Sequence, residues 1–233
     1  VDLIDVLIEA GADVNARGEN GMTALIVASM QDNIDVVNVL ILAGADVDVR
    51  NKNGQTALIL ASMQGYTDVV NALIGAGADV NALGELEMTA LMFASIGGHL
   101  DVVNALIEAK AKIDFHSKDG WTALMCASKE GNVDVVNVLI QAEADVNVQG
   151  EDGMTALMLA SSRGYIGRGY IDVVKALIKA GADVNDISQY EMTALMYASY
   201  KGSVDLVNAL IKAGANVNAQ NEGALMYASY WGN

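Results

Sequence analysis

The fold is decided by a stretch, residues 56–81, that reads TALILASMQGYTDVVNALIGAGADVN. Two runs within it, 57–62 and 69–74, repeat their small and apolar side chains at positions i, i+1, i+4 and i+5. This spacing is that of a helix with one buried face. Gly77 follows the second run, where a left-handed helix cap favours glycine. The stretch therefore predicts two short amphipathic helices joined by a turn.

The same pattern recurs along the whole chain. Thr-Ala-Leu, followed three residues later by Ala-Ser, recurs at intervals of 33 residues, with a last interval of 38. These copies begin at Thr23, Thr56, Thr89, Thr122, Thr155 and Thr193. A seventh copy begins at Ala224 and lacks the threonine. Self-similarity at a fixed period indicates an array of repeated structural units.

The repeat accounts for the entire chain as one domain. Its units span 1–17, 18–50, 51–83, 84–116, 117–149, 150–187, 188–220 and 221–233. The first unit holds a second helix only, the sixth carries a five-residue insertion, and the last is truncated. Neither end has the polar outer face that normally closes such an array, so we expect the chain to be part of a longer protein.

A 33-residue unit of turn, helix, turn and helix resembles the ankyrin repeat. The family's Thr-Pro-Leu-His-x-Ala signature is represented here by Thr-Ala-Leu-Met or Thr-Ala-Leu-Ile followed by x-Ala. The family's Gly-Ala-Asp-Val-Asn is intact from Gly11, Gly77 and Gly181. Alanine for proline and methionine or isoleucine for histidine both suit a helix. The resemblance covers essentially the whole chain and implies an all-α ankyrin-repeat solenoid, with helix-turn-helix units joined by β-turn or hairpin loops.

Composition and charge exclude several classes of protein. With 53% apolar and 18% charged residues the chain can bury a core, and its longest uncharged stretch, 53–67, is shorter than the roughly 20 apolar residues of a membrane span. The single cysteine, Cys126, cannot form an internal disulfide and indicates a reducing compartment, which we take to be the cytoplasm. The net charge of −16 disfavours nucleic acid and favours a partner with a basic surface. Alternatively, the carboxylates serve helix ends and solubility.

No group of residues departs from the repeat as catalysis requires. Cys126 occupies an apolar column of the first helix, which predicts packing rather than nucleophilic chemistry, and His99 matches the family's Gly-His before the second helix. For His116, in a turn, a contact role and a solvated loop stay open. One cysteine and two histidines do not supply zinc-ligand spacing. We therefore predict no catalytic residue, no metal site and no cofactor.

Several residues interrupt the pattern of glycines. Lys110 and Glu143 stand where other units place glycine after the second helix, and a side chain in a left-handed cap costs about 1 kcal/mol. Either the backbone differs there or it is strained. Glu87 and Glu191 replace the turn glycine, for which we expect altered turns. In the insertion, 164–169, a tyrosine and an arginine could contact a partner, or the loop is simply tolerated.

The functional prediction depends on columns that vary between units. The resemblance implies that the residue before each threonine, two columns at the end of the first helix, and the turn tips line a concave ligand-binding surface. These columns carry methionine, tryptophan and tyrosine, which are enriched in interface cores. The predicted apolar anchors are Met88, Trp121, Met154, Met192 and Tyr200, with contacts from Lys118, Lys129, Glu130, Arg163, Tyr190 and Lys201.

We therefore predict a monomeric, non-catalytic interaction module that binds a protein or peptide in this groove. Three alternatives stay open. The methionines before the threonines could pack against neighbouring units. The chain could be a rigid spacer or targeting array of a longer protein whose activity lies elsewhere. An enzyme built within the repeats would be revived by turnover that Cys126→Ser or His116→Ala abolishes.

Overall fold

The computed structural model describes residues 2–163, 169–219 and 223–230. Over these residues it holds α-helices, two single-turn 3-10 helices (Glu19–Gly21 and Glu85–Glu87) and no strand. The helices are α1 (Asp2–Glu9), α2 (Ala24–Met30), α3 (Ile34–Leu42), α4 (Ala57–Gln64), α5 (Thr67–Gly75), α6 (Ala90–Gly97), α7 (Leu100–Glu108), α8 (Ala123–Glu130), α9 (Val133–Gln141), α10 (Ala156–Arg163), α11 (Gly169–Lys179), α12 (Ala194–Tyr200), α13 (Val204–Lys212) and α14 (Ala224–Tyr230). None of them is long and apolar enough to cross a membrane.

The chain forms two compact units, residues 1–112 and 113–233. In the first, α2, α4 and α6 stack as one layer, and each packs on the helix that follows it, α3, α5 or α7. In the second, α8, α10, α12 and α14 stack as one layer, and α9, α11 and α13 pack on the first three of these. The predicted all-α architecture of helix-turn-helix repeats is confirmed.

Each first helix except α14, whose repeat lacks the threonine, begins directly after the threonine of the repeat motif. The Thr56 hydroxyl accepts a hydrogen bond from the backbone N–H of Ile59 at 3.3 Å, and the other five threonines make the equivalent bond at 3.3–3.4 Å. This satisfies one of the N–H groups that a helix start leaves without a partner, an interaction typically worth about 1 kcal/mol. The threonine is therefore retained as a helix cap.

A hairpin precedes each threonine and positions the residue just before it. In each hairpin the carbonyl of that residue accepts a hydrogen bond from the N–H four positions earlier, as in Ser117 to Trp121 at 2.9 Å and Gly150 to Met154 at 3.0 Å. Three pairs of successive hairpins are also bonded to each other, through the Lys52 N–H and the Asn20 carbonyl at 2.7 Å, the Glu151 N–H and the Asp119 carbonyl at 3.1 Å, and the Gln189 N–H and the Asp152 carbonyl at 3.0 Å. The variable residue before each threonine thus lies at the base of a closed turn.

Side chains of the Gly-Ala-Asp-Val-Asn segment join consecutive repeats. In residues 113–233, the Asn147 amide oxygen accepts from the Asp183 N–H at 2.8 Å, and its amide nitrogen donates to the Gly181 carbonyl at 3.3 Å. Asp183 in turn accepts from the N–H of Asn185 at 2.8 Å, and Asp13, Asp46, Asp79 and Asp145 make the same local bond. These five aspartates therefore have a structural use.

The residues that replace glycine retain the left-handed backbone. Lys110 and Glu143 have φ values of 67° and 65°, so the strained alternative is the correct one. Glu87 and Glu191 both have a φ of 58°, close to the 73° of Gly21 at the matching position. The expectation of altered turns at these two glutamates is therefore wrong, because the hairpin's hydrogen bonds hold the backbone in the conformation that glycine adopts elsewhere.

Candidate functional site

Trp121 and Lys129 form the first cluster of candidate residues, at the base of a hairpin and the end of α8. The Trp121 N–H donates to the Ser117 hydroxyl at 3.1 Å, which fixes the backbone, and the indole is half-buried. The Lys129 ammonium lies 4.5 Å from the centre of the indole ring, a cation–π contact. Glu130 and Lys118 are exposed on α8 and at the hairpin tip.

A cleft of about 410 Å³ opens beside this tryptophan. It is lined by Asp119, Trp121, Glu151, Asp152 and Gln189, so three carboxylates surround one aromatic ring. We call it the Trp121 cleft. Its carboxylates belong to consecutive hairpin tips, which the backbone bonds between hairpins hold side by side. The three carboxylates favour a cationic side chain of a partner, whereas the indole ring already has the Lys129 ammonium over one face.

A second cleft, of about 380 Å³, contains four of the predicted contact residues. It is lined by Ser162, Arg163, Met192, Tyr197, Tyr200, Lys201 and Tyr227, and we call it the Tyr200 cleft. The Tyr200 and Tyr227 rings meet edge to face with their centroids 6.4 Å apart. The Lys201 ammonium lies 5.3 Å from the centre of the Tyr200 ring, whose residue is 36% exposed.

Three residues of the Tyr200 cleft were not predicted: Ser162, Tyr197 and Tyr227. Both tyrosines occupy the first-helix column in which Cys126 is predicted to pack. The Tyr197 hydroxyl lies 3.4 Å from that of Ser188. The pKa of this phenol is raised, because the effect of burial exceeds the lowering by the Ser188 hydrogen bond. The sequence did contain a signal that could have identified these two tyrosines. They are the members of this column that carry a hydroxyl, whereas the other repeats have an apolar residue or cysteine there.

Met154 does not fit the prediction of an exposed anchor. Only 6% of its surface is exposed, so its side chain packs inside the stack, although its hairpin has the same closing hydrogen bond as that of Trp121. Gln55, in the same column of another repeat, is likewise buried at 9% exposure. For Met154 the packing alternative is therefore the correct one. Met88, Met192 and Trp121, also in this column, are half-buried and keep an accessible face.

The remaining candidates are spread over the surface. Tyr190 lies at a hairpin tip with 62% of its surface exposed, and it lines neither cleft. Met88 belongs to residues 1–112, whereas the other candidates belong to 113–233. Residues 164–168 of the insertion lie outside the described residues. The expectation that Tyr165 and Arg168 contact a partner concerns these residues and stays a prediction.

The residues considered for catalysis, Cys126, His99 and His116, are either buried in the core or in contact with backbone carbonyl groups. Cys126 is 1% exposed, and burial raises the pKa of its thiol to about 12, so it carries almost no thiolate at neutral pH. The His99 ring nitrogen Nε2 lies 3.1 Å from the Met63 carbonyl. Nδ1 of His116 is 3.5 Å from the Gly120 carbonyl on an exposed turn. Across the described ranges, His, Cys, Asp and Glu form no group of three that could hold a metal ion.

Comparison with known proteins agrees with the repeat architecture. The family model described as "Ankyrin repeats (3 copies)" matches residues 1–84, 82–150 and 166–233. No curated protein matches the chain. The matched ranges cover more than half of the sequence and coincide with the stacked helix pairs capped by threonine. The chain therefore belongs to the ankyrin repeat family.

Proposed function

We propose that this chain is a protein–protein interaction module that binds a protein or peptide through the hairpin and first-helix surface of residues 113–233. Ankyrin repeats are generally interaction modules without enzymatic activity. The observation that carries the proposal for this chain is the Tyr200 cleft. Three tyrosines, one methionine and two cationic side chains line one concavity, a composition that is enriched at interface hot spots.

The two clefts differ in charge, which defines the partner's chemistry. The Trp121 cleft has three carboxylates and suits a lysine or arginine side chain. The Tyr200 cleft, with Arg163 and Lys201 at its edge, suits an apolar or aromatic side chain next to a carboxylate. We infer a partner whose surface is basic where it meets Trp121. Electrostatic complementarity of this kind sets specificity and association rate more than affinity.

As part of this proposal, the module acts as a monomer, has no catalytic activity of its own, and works in the cytoplasm. One observation supports the cytoplasmic location, and another supports the lack of catalysis. The one cysteine is a free thiol inside the core, as expected for a protein kept in a reducing compartment. The same thiol and the two histidines have packing or turn contacts instead of the partners that acid–base or nucleophilic catalysis needs.

A rigid spacer is the second candidate function. It is supported by the hydrogen bonds that run from repeat to repeat through Asn15, Asp48 and Asn81, and through Asp114, Asn147 and Asn185. A spacer needs this continuity and no binding site. The two functions therefore differ in what they require of Trp121 and Tyr200.

The test is capture from a cell lysate by the parent chain and by the double variant Trp121→Ala/Tyr200→Ala. Trp121 is half-buried and Tyr200 is 36% exposed, and neither belongs to the buried core, so circular dichroism and the melting temperature should change little. A protein retained by the parent and lost with the double variant is the expected result. Leu42→Ala, which removes a residue 87% exposed on α3, is the matched control and should retain capture. Equal capture by parent and double variant would favour the spacer.

A further inference from the structure

A groove between two second helices, α11 and α13, has a different composition from the clefts described above. It encloses about 770 Å³ and lies between consecutive repeats of residues 113–233. Ile171, Ile178 and Ala209 contribute apolar surface to its walls. Three lysines, Lys175, Lys179 and Lys212, also line it, and all three are exposed. The groove thus combines an apolar floor with cationic edges.

The lysines depart from the repeat. Lys175 stands where the other second helices from 34 onward carry asparagine: Asn38, Asn71, Asn104, Asn137 and Asn208. Lys179 and Lys212 occupy the position held by Leu42, Gly75, Glu108 and Gln141 elsewhere. The corresponding positions of α5 and α7 therefore carry no base. Three of the chain's 13 basic residues meet in one groove of a protein with a net charge of −16.

Two carboxylates neighbour the three lysines and neutralise them only in part. The Lys175 ammonium lies 3.9 Å from the Asp172 carboxylate, but both side chains are about two-thirds exposed, so the pair is weak. Asp205 is the carboxylate that lines the groove beside them. Three lysines against two aspartates, Asp172 and Asp205, leave an excess of one positive charge at the groove. An apolar floor with an excess of cationic side chains is complementary to an apolar ligand that carries negative charge.

We propose that the α11–α13 groove binds an acidic amphipathic helix of a partner protein. Aliphatic side chains at i, i+3 or i+4, and i+7 would contact Ile171, Ile178 and Ala209, the helix-in-groove mode of recognition. Aspartate or glutamate flanking them would pair with the three lysines. This site is separate from the Trp121 and Tyr200 clefts, and the Trp121 cleft has the opposite charge preference.

The charge of the whole chain favours a peptide over a polyanion. Nucleic acids and anionic membranes present dense, extended negative charge, which a protein of net charge −16 repels outside the groove. A single helix with a few carboxylates meets less of that repulsion, because its charge is smaller and lies close to the lysines. The apolar floor also contributes to binding only if the ligand presents aliphatic side chains.

The test begins with a display library of helical peptides that has no bias in charge. Selection on the full chain, with counter-selection on Lys175→Asn/Lys179→Gln/Lys212→Gln, should enrich aspartate and glutamate around an aliphatic stripe. The substituted residues are those that α9 carries as Asn137 and Gln141, so the variant should keep its fold and melting temperature. Enrichment of basic or neutral peptides, or no enrichment at all, would overturn the proposal.

Binding of a selected peptide is then measured by fluorescence anisotropy. The triple variant should raise Kd about tenfold or more, and added salt should weaken binding to the parent. Lys110→Gln/Lys112→Gln removes two lysines elsewhere and should leave Kd unchanged, as should Trp121→Ala/Tyr200→Ala, which separates this site from the proposed function. Equal affinity of parent and triple variant would contradict the proposal. So would tighter binding of a short DNA duplex or phosphatidylserine vesicles through the same lysines.

Discussion

At the scale of single residues, a side chain in a left-handed cap shows how this chain tolerates local strain. Lys110 and Glu143 follow second helices at positions where Gly44, Gly77 and Gly181 occur in other repeats. A Cβ built on any of these three glycines meets no atom within 4 Å. The space for a side chain therefore exists, and the cost of Lys110 and Glu143 is restricted to the backbone conformation.

Replacing Lys110 or Glu143 with glycine should stabilise the fold. Removing the side chain relieves a left-handed strain of about 1 kcal/mol, partly offset by the greater flexibility of glycine in the unfolded chain. We expect each variant to raise the free energy of unfolding by up to about 1 kcal/mol in urea titrations.

Two alanine variants serve as controls for this prediction. Gly77→Ala should destabilise by a similar amount, because only the backbone conformation opposes it. Gly120→Ala should cost more, since a Cβ there would lie 2.9 Å from the backbone nitrogen of Glu151. If Gly77→Ala lowered the free energy of unfolding as much as Gly120→Ala does, backbone strain alone could not account for the energetic cost of a side chain in these helix caps.

At the scale of elements, the link between consecutive repeats depends on an asparagine side chain. Asn147 accepts from the Asp183 N–H and donates to the Gly181 carbonyl, so one amide spans two repeats. Asp48 and Asp114 occupy the same position in other repeats and retain only the acceptor. The repeats therefore allow the hydrogen bonds of an amide and of a carboxylate to be compared at the same position.

We expect Asn147→Ala to lower the free energy of unfolding by about 1–2 kcal/mol, because both hydrogen bonds are lost. Asn147→Asp should cost less, since its carboxylate still accepts from Asp183 as Asp114 does from Asp145. Asn137→Ala, at an exposed position on α9, is the control for losing an asparagine amide from a helix surface. Chemical denaturation measures all three, and equal losses for Asn147→Ala and Asn137→Ala would show that the link contributes nothing.

At the scale of the whole molecule, negative charge is poorly balanced. The net charge is −16, and within the described ranges the one ion pair shorter than 4.0 Å is the exposed contact between Lys175 and Asp172. Carboxylates such as Asp79 and Asp183 accept backbone hydrogen bonds instead of pairing with bases. Repulsion among them should therefore oppose folding over long range.

Salt should raise the melting temperature of this protein. Screening shortens the reach of charge repulsion to about 10 Å at 0.1 M and about 3 Å at 1 M, while few attractive ion pairs are weakened. Differential scanning calorimetry between about 0.05 and 0.5 M NaCl should show an increase of a few degrees. Sucrose at the same osmolality controls for effects unrelated to charge. A melting temperature that falls with NaCl would mean that attractive pairs dominate.

Much of the fold could be predicted because its determinants are local. The threonine that caps each first helix, the glycine after each second helix and the apolar spacing in between all act within a few residues of themselves. Glu87 and Glu191 are the instructive failures of this local reasoning. Their identity suggested a different turn, but the hairpin's hydrogen bonds impose the glycine-like backbone on them.

The sequence by itself determined the period, the helix pairs and the family, because repetition multiplies every local signal. Only the tertiary structure decided which variable residues meet. It buried Met154 at a hairpin base and joined Tyr197 and Tyr227 to the predicted Tyr200. It also brought Lys175 and Lys212 to one groove from neighbouring helices. These outcomes depend on how consecutive repeats stack. The sequence of one repeat does not determine which side chains of the next repeat contact it.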